Sequence, residues 1–344
     1  MHWRWDAVYY YNISVDGYHP GGITAFFPLF PMLSRGVATL LNGLRLPTAL
    51  PIQEAELAPL LAGIIVAHLA TFGAFWMLHQ LALEETGDRD TAFRAILYAA
   101  IFPFAYHYAT PYTEGLFLLT TVASFLAMRR KQWVRAGIWA ACASATRFAG
   151  ILLVPVLCVE LLLAWRRGDL QRVNWPRAAI GLVTAPLGLL LYMGYLWWRV
   201  GDAFSFYHVQ SDWGREQTFP MTAIVRGIDY ALHPNWSSAP DIYARGVLHT
   251  IITFAFLGIM LLSIRAWRLS YLVYGALLFI VILWSPPDGE WTMHNLGRYL
   301  MILFPVYITL ARWGRSPAFH LAVLMVCVPM FGLFSALYVR WYAA

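Results

Sequence analysis

Polar residues along this chain are scarce and bunched, and the apolar runs between the bunches set its architecture. A bilayer's hydrocarbon layer demands about 17–25 consecutive apolar residues from a spanning helix. Runs that reach or approach this length lie at 57–81, 92–110, 112–128, 133–148, 149–165, 178–199, 247–265, 270–284, 298–311 and 318–339. The pattern predicts an all-α, polytopic transmembrane helical bundle of about ten spans. Several runs are short, so that 92–128 also reads as a hairpin or a partly re-entrant pair. Pro103, Pro111, Pro155, Pro186 and Pro305 are expected to kink or end helices locally, which neighbouring helices accommodate.

The basic residues give the runs a direction. Arg129, Arg130, Lys131 and Arg135 share one connection, and Arg166, Arg167, Arg172 and Arg177 fall two spans later. Arg265 with Arg268, and then Arg312 with Arg315, follow at the same two-span interval. All four clusters therefore fall on one side, which the positive-inside rule makes cytoplasmic. The opposite, extracytoplasmic side carries residues 1–56, a long loop at 200–246 and the loop 285–297, with most of the 18 acidic residues. Short interfacial helices are expected in these outer loops, one of them amphipathic over 219–232. Residues 1–344 read as a single integral membrane domain, with no cleavable signal peptide visible ahead of the polar opening segment.

Composition agrees. Hydrophobic residues make up 60% of the 344 positions and charged residues 12%, and mean hydropathy is +0.58; a soluble domain could not hide that much apolar surface. The net charge of +6 is spread over short clusters between spans, so nucleic acid is not an expected partner and membrane lipid is. Cys142, Cys158 and Cys327 lie within apolar spans without metal-ligand spacing and read as small core residues. The chain has no glycine-rich phosphate cradle, and nucleotides are not expected outside the cytoplasm. An enzyme on that face needs an activated donor carried in the membrane, such as a polyprenyl-phosphate-linked substrate, and no separate cofactor.

The candidate chemistry gathers in the outer segments. Asp6, beside Trp5 and Tyr9 to Tyr11, has an apolar interfacial setting that suits a general base; an exposed acid or a helix N-cap fits the same spacing. Asp16 and His19 flank Gly17-Tyr18 in a predicted turn, as cleft residues or as turn organisers. No Asp-x-Asp or His-x-x-x-His spacing occurs near them, so no metal is expected. Phe26 and Phe27 open a proline-stiffened aromatic run ending at Pro31, which reads as a wall for a lipid-linked substrate or as an interfacial aromatic belt. Arg147 and Arg298 lie at outer ends of spans, where positive-inside gives no reason for them. A guanidinium there fits a donor phosphate through two parallel hydrogen bonds, or a structural pairing with Glu114, Asp288 or Glu290. Glu114 reads as a first-turn helix acid or a cleft residue, and His294 and Tyr299 flank Arg298 on the same edge. The long outer loop holds Asp202, His208, Asp212, Arg215 and further charges among aromatics, with nothing to single one out. Asn12-Ile13-Ser14 and Asn235-Trp236-Ser237 fit the glycosylation triplet, which recurs often by chance.

Trp5-Asp6-Ala7, Gly17-Tyr18 and the run Ala25-Phe26-Phe27-Pro28-Leu29-Phe30-Pro31 together resemble the opening of PIG-V type mannosyltransferases, the second GPI mannosyltransferases, and their bacterial relatives. Tyr112-Thr113-Glu114-Gly115-Leu116-Phe117, Ala145-Thr146-Arg147 and Gly297-Arg298-Tyr299 before Pro305 follow in the family's order along nearly the whole chain. The opening motifs are the more specific; the later ones are shared widely among polytopic glycosyltransferases of the GT-C class. The resemblance implies a GT-C fold with Asp6 as catalytic acid–base group in the first outer loop. It implies a polyprenyl- or dolichyl-phosphate sugar as donor, mannose by family, and inverting transfer to a glycolipid or glycan acceptor without a metal. A membrane helix precedes the Trp-Asp pair in such enzymes, so an apolar span upstream of Met1 is expected. In a bacterium the protein would sit in the plasma membrane, in a eukaryote in the endoplasmic reticulum membrane. The rival class is a lipid or glycan transporter or flippase, which calls for internal repeats and midplane polar sites; no convincing repeat is visible, and the candidate polar residues gather at one face.

Overall fold

The structure, a computed structural model, describes residues 5–43, 54–166, 174–215, 217–233, 240–286 and 295–340. Among these it contains helices and turns and no extended strand. Two helices occupy the opening segment, α1 (Asp6–Asp16) and α2 (Leu29–Gly43). The bundle follows with α3 (Glu54–Thr86), α4 (Arg89–Ala100), α5 (Glu114–Arg129), α6 (Trp133–Thr146) and α7 (Leu153–Arg166). Next come α8 (Trp175–Thr184) and α9 (Leu187–Val200), then α10 (Ser205–His208) and α11 (Pro220–Leu232) in the long loop. The last set is α12 (Pro240–Leu262), α13 (Leu269–Trp284), α14 (Leu296–Leu300), α15 (Phe304–Trp313) and α16 (Pro317–Val339). Four helical runs, 57–86, 148–166, 175–200 and 317–339, are long and apolar enough to cross a membrane; 246–262 and 269–284 are shorter apolar helices.

The prolines act where the pattern puts them. Pro103 and Pro111 bracket the break between α4 and α5, Pro155 lies in the first turn of α7, and Pro305 opens α15. Pro186 splits the run 178–199 into α8 and α9, because its ring removes one backbone donor and displaces the preceding turn. The break leaves the first N–H groups of α9 without helical acceptors. Ser144 of α6 takes one of them, its Oγ accepting from the Leu189 N–H at 3.2 Å. Pro28 and Pro31 likewise stand just before and within the first turn of α2, where a missing N–H costs nothing.

Packing inside the bundle rests on small residues. Lipid chains are as apolar as leucine, so helix pairs in a bilayer gain mainly by close backbone approach. Gly137 of α6 and Gly181 of α8 meet where a Cβ on Gly137 would overlap the Gly181 carbonyl and one on Gly181 the Trp133 carbonyl. Ala136, Ala140 and Ala143 continue this buried face of α6.

The two ends of the bundle carry different charge networks. At one end the α3–α4 turn collects the basic connections predicted to share a side. Glu85 binds Arg129 of α5 at 2.5 Å and Arg268 at 3.2 Å, and it accepts from the Tyr271 hydroxyl at 2.9 Å. Glu84 pairs with Arg130 at 2.6 Å, and Arg312 donates to the Glu85 carbonyl at 2.9 Å. Arg94 and Arg315 both reach Asp88. At the other end lie α1 and the start of α5, and Arg147 and Arg298 lie with them. Gly181→Val should therefore lower thermal stability of the purified protein by about 1–3 kcal/mol or more through overpacking, measured as a drop in Tm in detergent. An unchanged Tm would mean that α6 and α8 do not meet at this pair.

Candidate active site

The site is assembled by short-range rules at four helix ends. Asp6 occupies the first turn of α1, where an acid suits the helix dipole. That helix is held in place by its buried face. Tyr10 lies 3.4 Å from the Thr113 hydroxyl and edge-on to Phe26 and Phe30. Gly17 closes α1 with φ 81°, a left-handed value that glycine adopts freely, and its N–H donates to the Ile13 carbonyl at 3.0 Å. The aromatic run beyond it is pinned by buried hydroxyls. Tyr18 donates to the Phe26 carbonyl at 2.6 Å, and Tyr192 of α9 donates to the carbonyls of Thr24 and Phe26 at 2.8 and 3.1 Å.

Glu114 begins α5 and is fully buried. Its Oε1 accepts from Arg147 Nη2 and from Arg298 Nε, each at 2.5 Å. Arg147 ends α6 in an extended conformation, which turns its side chain back toward Thr113, with Nε 2.7 Å from the hydroxyl. Arg298 lies on the five-residue α14, whose entry residue Asn295 is left-handed at φ 64°, a conformation asparagine tolerates. Gly297 is required beside it, because a Cβ there would overlap the Phe104 ring. Arg298 stacks over Tyr112 at 4.5 Å and donates from Nη2 to Asp6 Oδ2 at 2.6 Å. Two carboxylates and two guanidinium groups thus form a continuous, electroneutral chain from α1 to the core, Asp6 to Arg298 to Glu114 to Arg147. The Asp6 side chain keeps 29% exposure while that of Glu114 has none, so of these two carboxylates only Asp6 can meet a ligand.

The exposed part of Asp6 faces a cavity of about 790 Å³. Leu278, Val281 and Ile282 of α13 with Ile302 make its apolar side; Phe26, Phe27, Phe206 and Trp213 make its aromatic side. Such a mixture suits a ligand with a hydrocarbon part and a polar head. Trp5, Arg147, Arg298 and Tyr299 also line it, so these residues, predicted from separate motifs, come together with Asp6, Phe26 and Phe27. Glu114 does not line it, lying behind the two arginines. Asp16 and His19 do not line it either: they are exposed, and His19 contacts only the Pro20 carbonyl. Reading them as cleft residues is corrected by α1 itself, because ten helical residues carry Asp16 about 15 Å from Asp6. His294, Asp288 and Glu290 lie outside the described residues. Of the glycosylation triplets, Asn12-Ile13-Ser14 sits within α1 with Ser14 buried; the second lies outside the described residues.

Arg215 is the residue the sequence did not distinguish. It lines the cavity, donates from Nη2 to the Tyr299 hydroxyl at 2.5 Å and from Nη1 to the Ser285 carbonyl at 3.2 Å. The signal that could have found it is the repeat of an arginine beside an aromatic-rich outer segment, which is weak without contacts. Among the described residues no three His, Cys, Asp or Glu side chains cluster as metal ligands.

Comparison with known proteins adds a lineage to this geometry. The family described as Mannosyltransferase (PIG-V) matches residues 2–211, more than half of the chain. GPI mannosyltransferase 2 of Cryptococcus neoformans var. neoformans serotype D, from strains JEC21 and B-3501A, is 27% identical over 157 residues in each case. The alignment takes in 45% of this chain and 36% of each relative, so the chain spans about a third of the length of the curated relatives it matches. Among solved structures, ArnT from Cupriavidus metallidurans bound to undecaprenyl phosphate superposes with a TM-score of 0.51 at 15% identity, over 89% of this chain and 56% of that one. That likeness carries the fold, a GT-C type helical membrane bundle.

Glu114→Ala strands two buried guanidinium groups, and removal of one partner from a buried ion pair costs about 3–5 kcal/mol. Asp6→Ala leaves Arg298 with Glu114 and should cost less. Thermal unfolding of both variants checks the order; an equal or smaller loss for Glu114→Ala would mean that the arginines do not depend on it.

Proposed function

The chain belongs to the PIG-V mannosyltransferase family, and we propose that it transfers a sugar, mannose by family, from a polyprenyl-phosphate donor to a hydroxyl of a glycolipid or glycan acceptor. The observation that carries this reading is the meeting of Asp6 and Arg298 on the wall of one cavity whose other side is apolar. The apolar side suits the first isoprene units of a lipid carrier. The charged side suits the phosphate, the sugar and the attacking hydroxyl.

In this reading Asp6 is the general base. The Arg298 guanidinium orients its carboxylate, and the free oxygen accepts the proton as the acceptor oxygen attacks the anomeric carbon. Glu114 is unavailable as a nucleophile, since two arginines enclose it and no part of it is exposed. Among the described residues a single carboxylate, that of Asp6, lines the cavity, which supports one displacement with inversion rather than two through a covalent sugar intermediate. The basic connections gathered at the opposite end of the bundle support an extracytoplasmic orientation for the cavity. The compartment is then the plasma membrane of a bacterium or the endoplasmic reticulum membrane of a eukaryote.

Asp6→Asn should lower kcat by about 10²–10⁴ while leaving Tm and donor binding close to those of the parent protein. The assay is transfer of radiolabelled mannose from a polyprenyl phosphate by purified protein without any ion gradient. Near-normal turnover by the variant would remove Asp6 from the role of base. Labelled sugar crossing the membrane without transfer would favour a transporter.

A further inference from the structure

We propose that Arg215, rather than Arg147 or Arg298, is the counter-ion for the donor's phosphate, and that the cavity is charge-matched to a single phosphodiester. This rests on the lipid-phosphate donor proposed above. Arg147 and Arg298 are each bound to a carboxylate at 2.5–2.6 Å, so their charges are already balanced by Glu114 and Asp6. A phosphate brought to that quartet alone would add an unbalanced negative charge in a place where water is scarce. Arg215 differs. Among the described residues its polar partners are neutral, the Tyr299 hydroxyl and the Ser285 carbonyl. Among the described residues, three guanidinium groups line the cavity against Asp6, with Glu114 behind them, and this set leaves one positive charge for one monoanionic phosphodiester.

The position of Arg215 is built rather than incidental. On one side the segment before it is tied to the opening aromatic run: Trp213 Nε1 donates to the Gly22 carbonyl at 3.0 Å, and Ser205 and Thr24 share a hydroxyl contact at 2.8 Å. On the other side the Thr218 N–H donates to the Trp284 carbonyl at 2.9 Å. The Tyr299 ring has the Arg215 guanidinium 5.4 Å from its centre and that of Arg147 at 5.8 Å, so one ring spaces the two cations. Arg215 keeps donors for a ligand, because two of its five N–H groups account for both contacts.

The charge count also holds through the reaction. The acceptor oxygen forms its bond to the anomeric carbon, and the bond from that carbon to the phosphate oxygen breaks. The bonding pair leaves with the lipid phosphate, which gains one negative charge, and the acceptor proton passes to Asp6, which loses one. One negative charge has moved from Asp6 to the phosphate, within the reach of the same arginines, and the cavity total is unchanged.

The test compares binding of undecaprenyl phosphate and of uncharged undecaprenol to the full chain, read by quenching of its tryptophan fluorescence. The parent protein should prefer the phosphate by about tenfold or more, the effect of a charge-assisted hydrogen bond, and the preference should shrink as salt rises. Arg215→Gln should lose that preference with its Tm retained; Arg215→Lys, which keeps the charge, should stay within about threefold of the parent. Full preference in Arg215→Gln would overturn the assignment and leave the donor class standing. No preference in the parent protein would contradict the donor class itself. If the glutamine variant does not fold, the lysine variant decides: a folded Arg215→Lys that has lost the preference overturns the charge-matching argument.

Discussion

Two guanidinium groups largely buried in a helical bundle cannot stand without partners, and the structure answers this with one buried carboxylate. Glu114 accepts from Arg147 and Arg298 through the same oxygen. A charge left alone in such surroundings costs several kcal/mol, so each arginine must be delivered to the start of α5. That demand explains features which look unrelated in isolation. α6 ends in an extended residue so that Arg147 turns back, and α14 needs Gly297 to bring Arg298 against Tyr112. Asp6 at the head of α1 completes the pairing at the one point where the chain of charges reaches the cavity.

The bundle separates its charges by purpose. At the end formed by residues 84–88, acids hold basic connections from α5, α13 and α15, tying helices whose apolar faces give no preference for one packing over another. At the opposite end the same kinds of side chain border a cavity with an apolar wall. There a partly exposed carboxylate, that of Asp6, meets a space of about 790 Å³. This difference in surroundings, not in residue type, distinguishes a clamp from a candidate site.

Hydropathy made most of the architecture legible. The runs at 57–81, 133–148 and 318–339 correspond closely to α3, α6 and α16, and the five prolines expected to break helices do mark breaks or first turns. The spacing of the basic clusters predicted that Arg129, Arg268 and Arg312 share one side, and in the structure all three reach Glu85. The misplacement of Asp16 and His19 has a specific cause. Residues 6–16 carry aromatics and polar groups without a clean helical stripe, so the distance that α1 puts between Asp6 and Asp16 was not legible. Arg147 and Arg298 stood out because positive-inside gave no reason for them, and Glu114 was one of three acids offered as a pairing partner; that it holds both arginines at once depends on contacts 33 and 184 residues apart, which pattern cannot supply. Arg215 was hidden for the opposite reason, sitting among many polar neighbours in a loop where an arginine is unremarkable.

The central claim is that catalysis takes place at the end of the bundle where Asp6 meets Arg298. An experimental density map of the protein in a lipid nanodisc with a non-transferable polyprenyl-phosphate mannose analogue tests it most directly. The account predicts the sugar in the cavity bordered by Trp5 and Tyr299, with its anomeric carbon facing Asp6 and the isoprene chain along α13. Density for the analogue at the end formed by residues 84–88, or too far from Asp6 for one acceptor hydroxyl to bridge them, would contradict it.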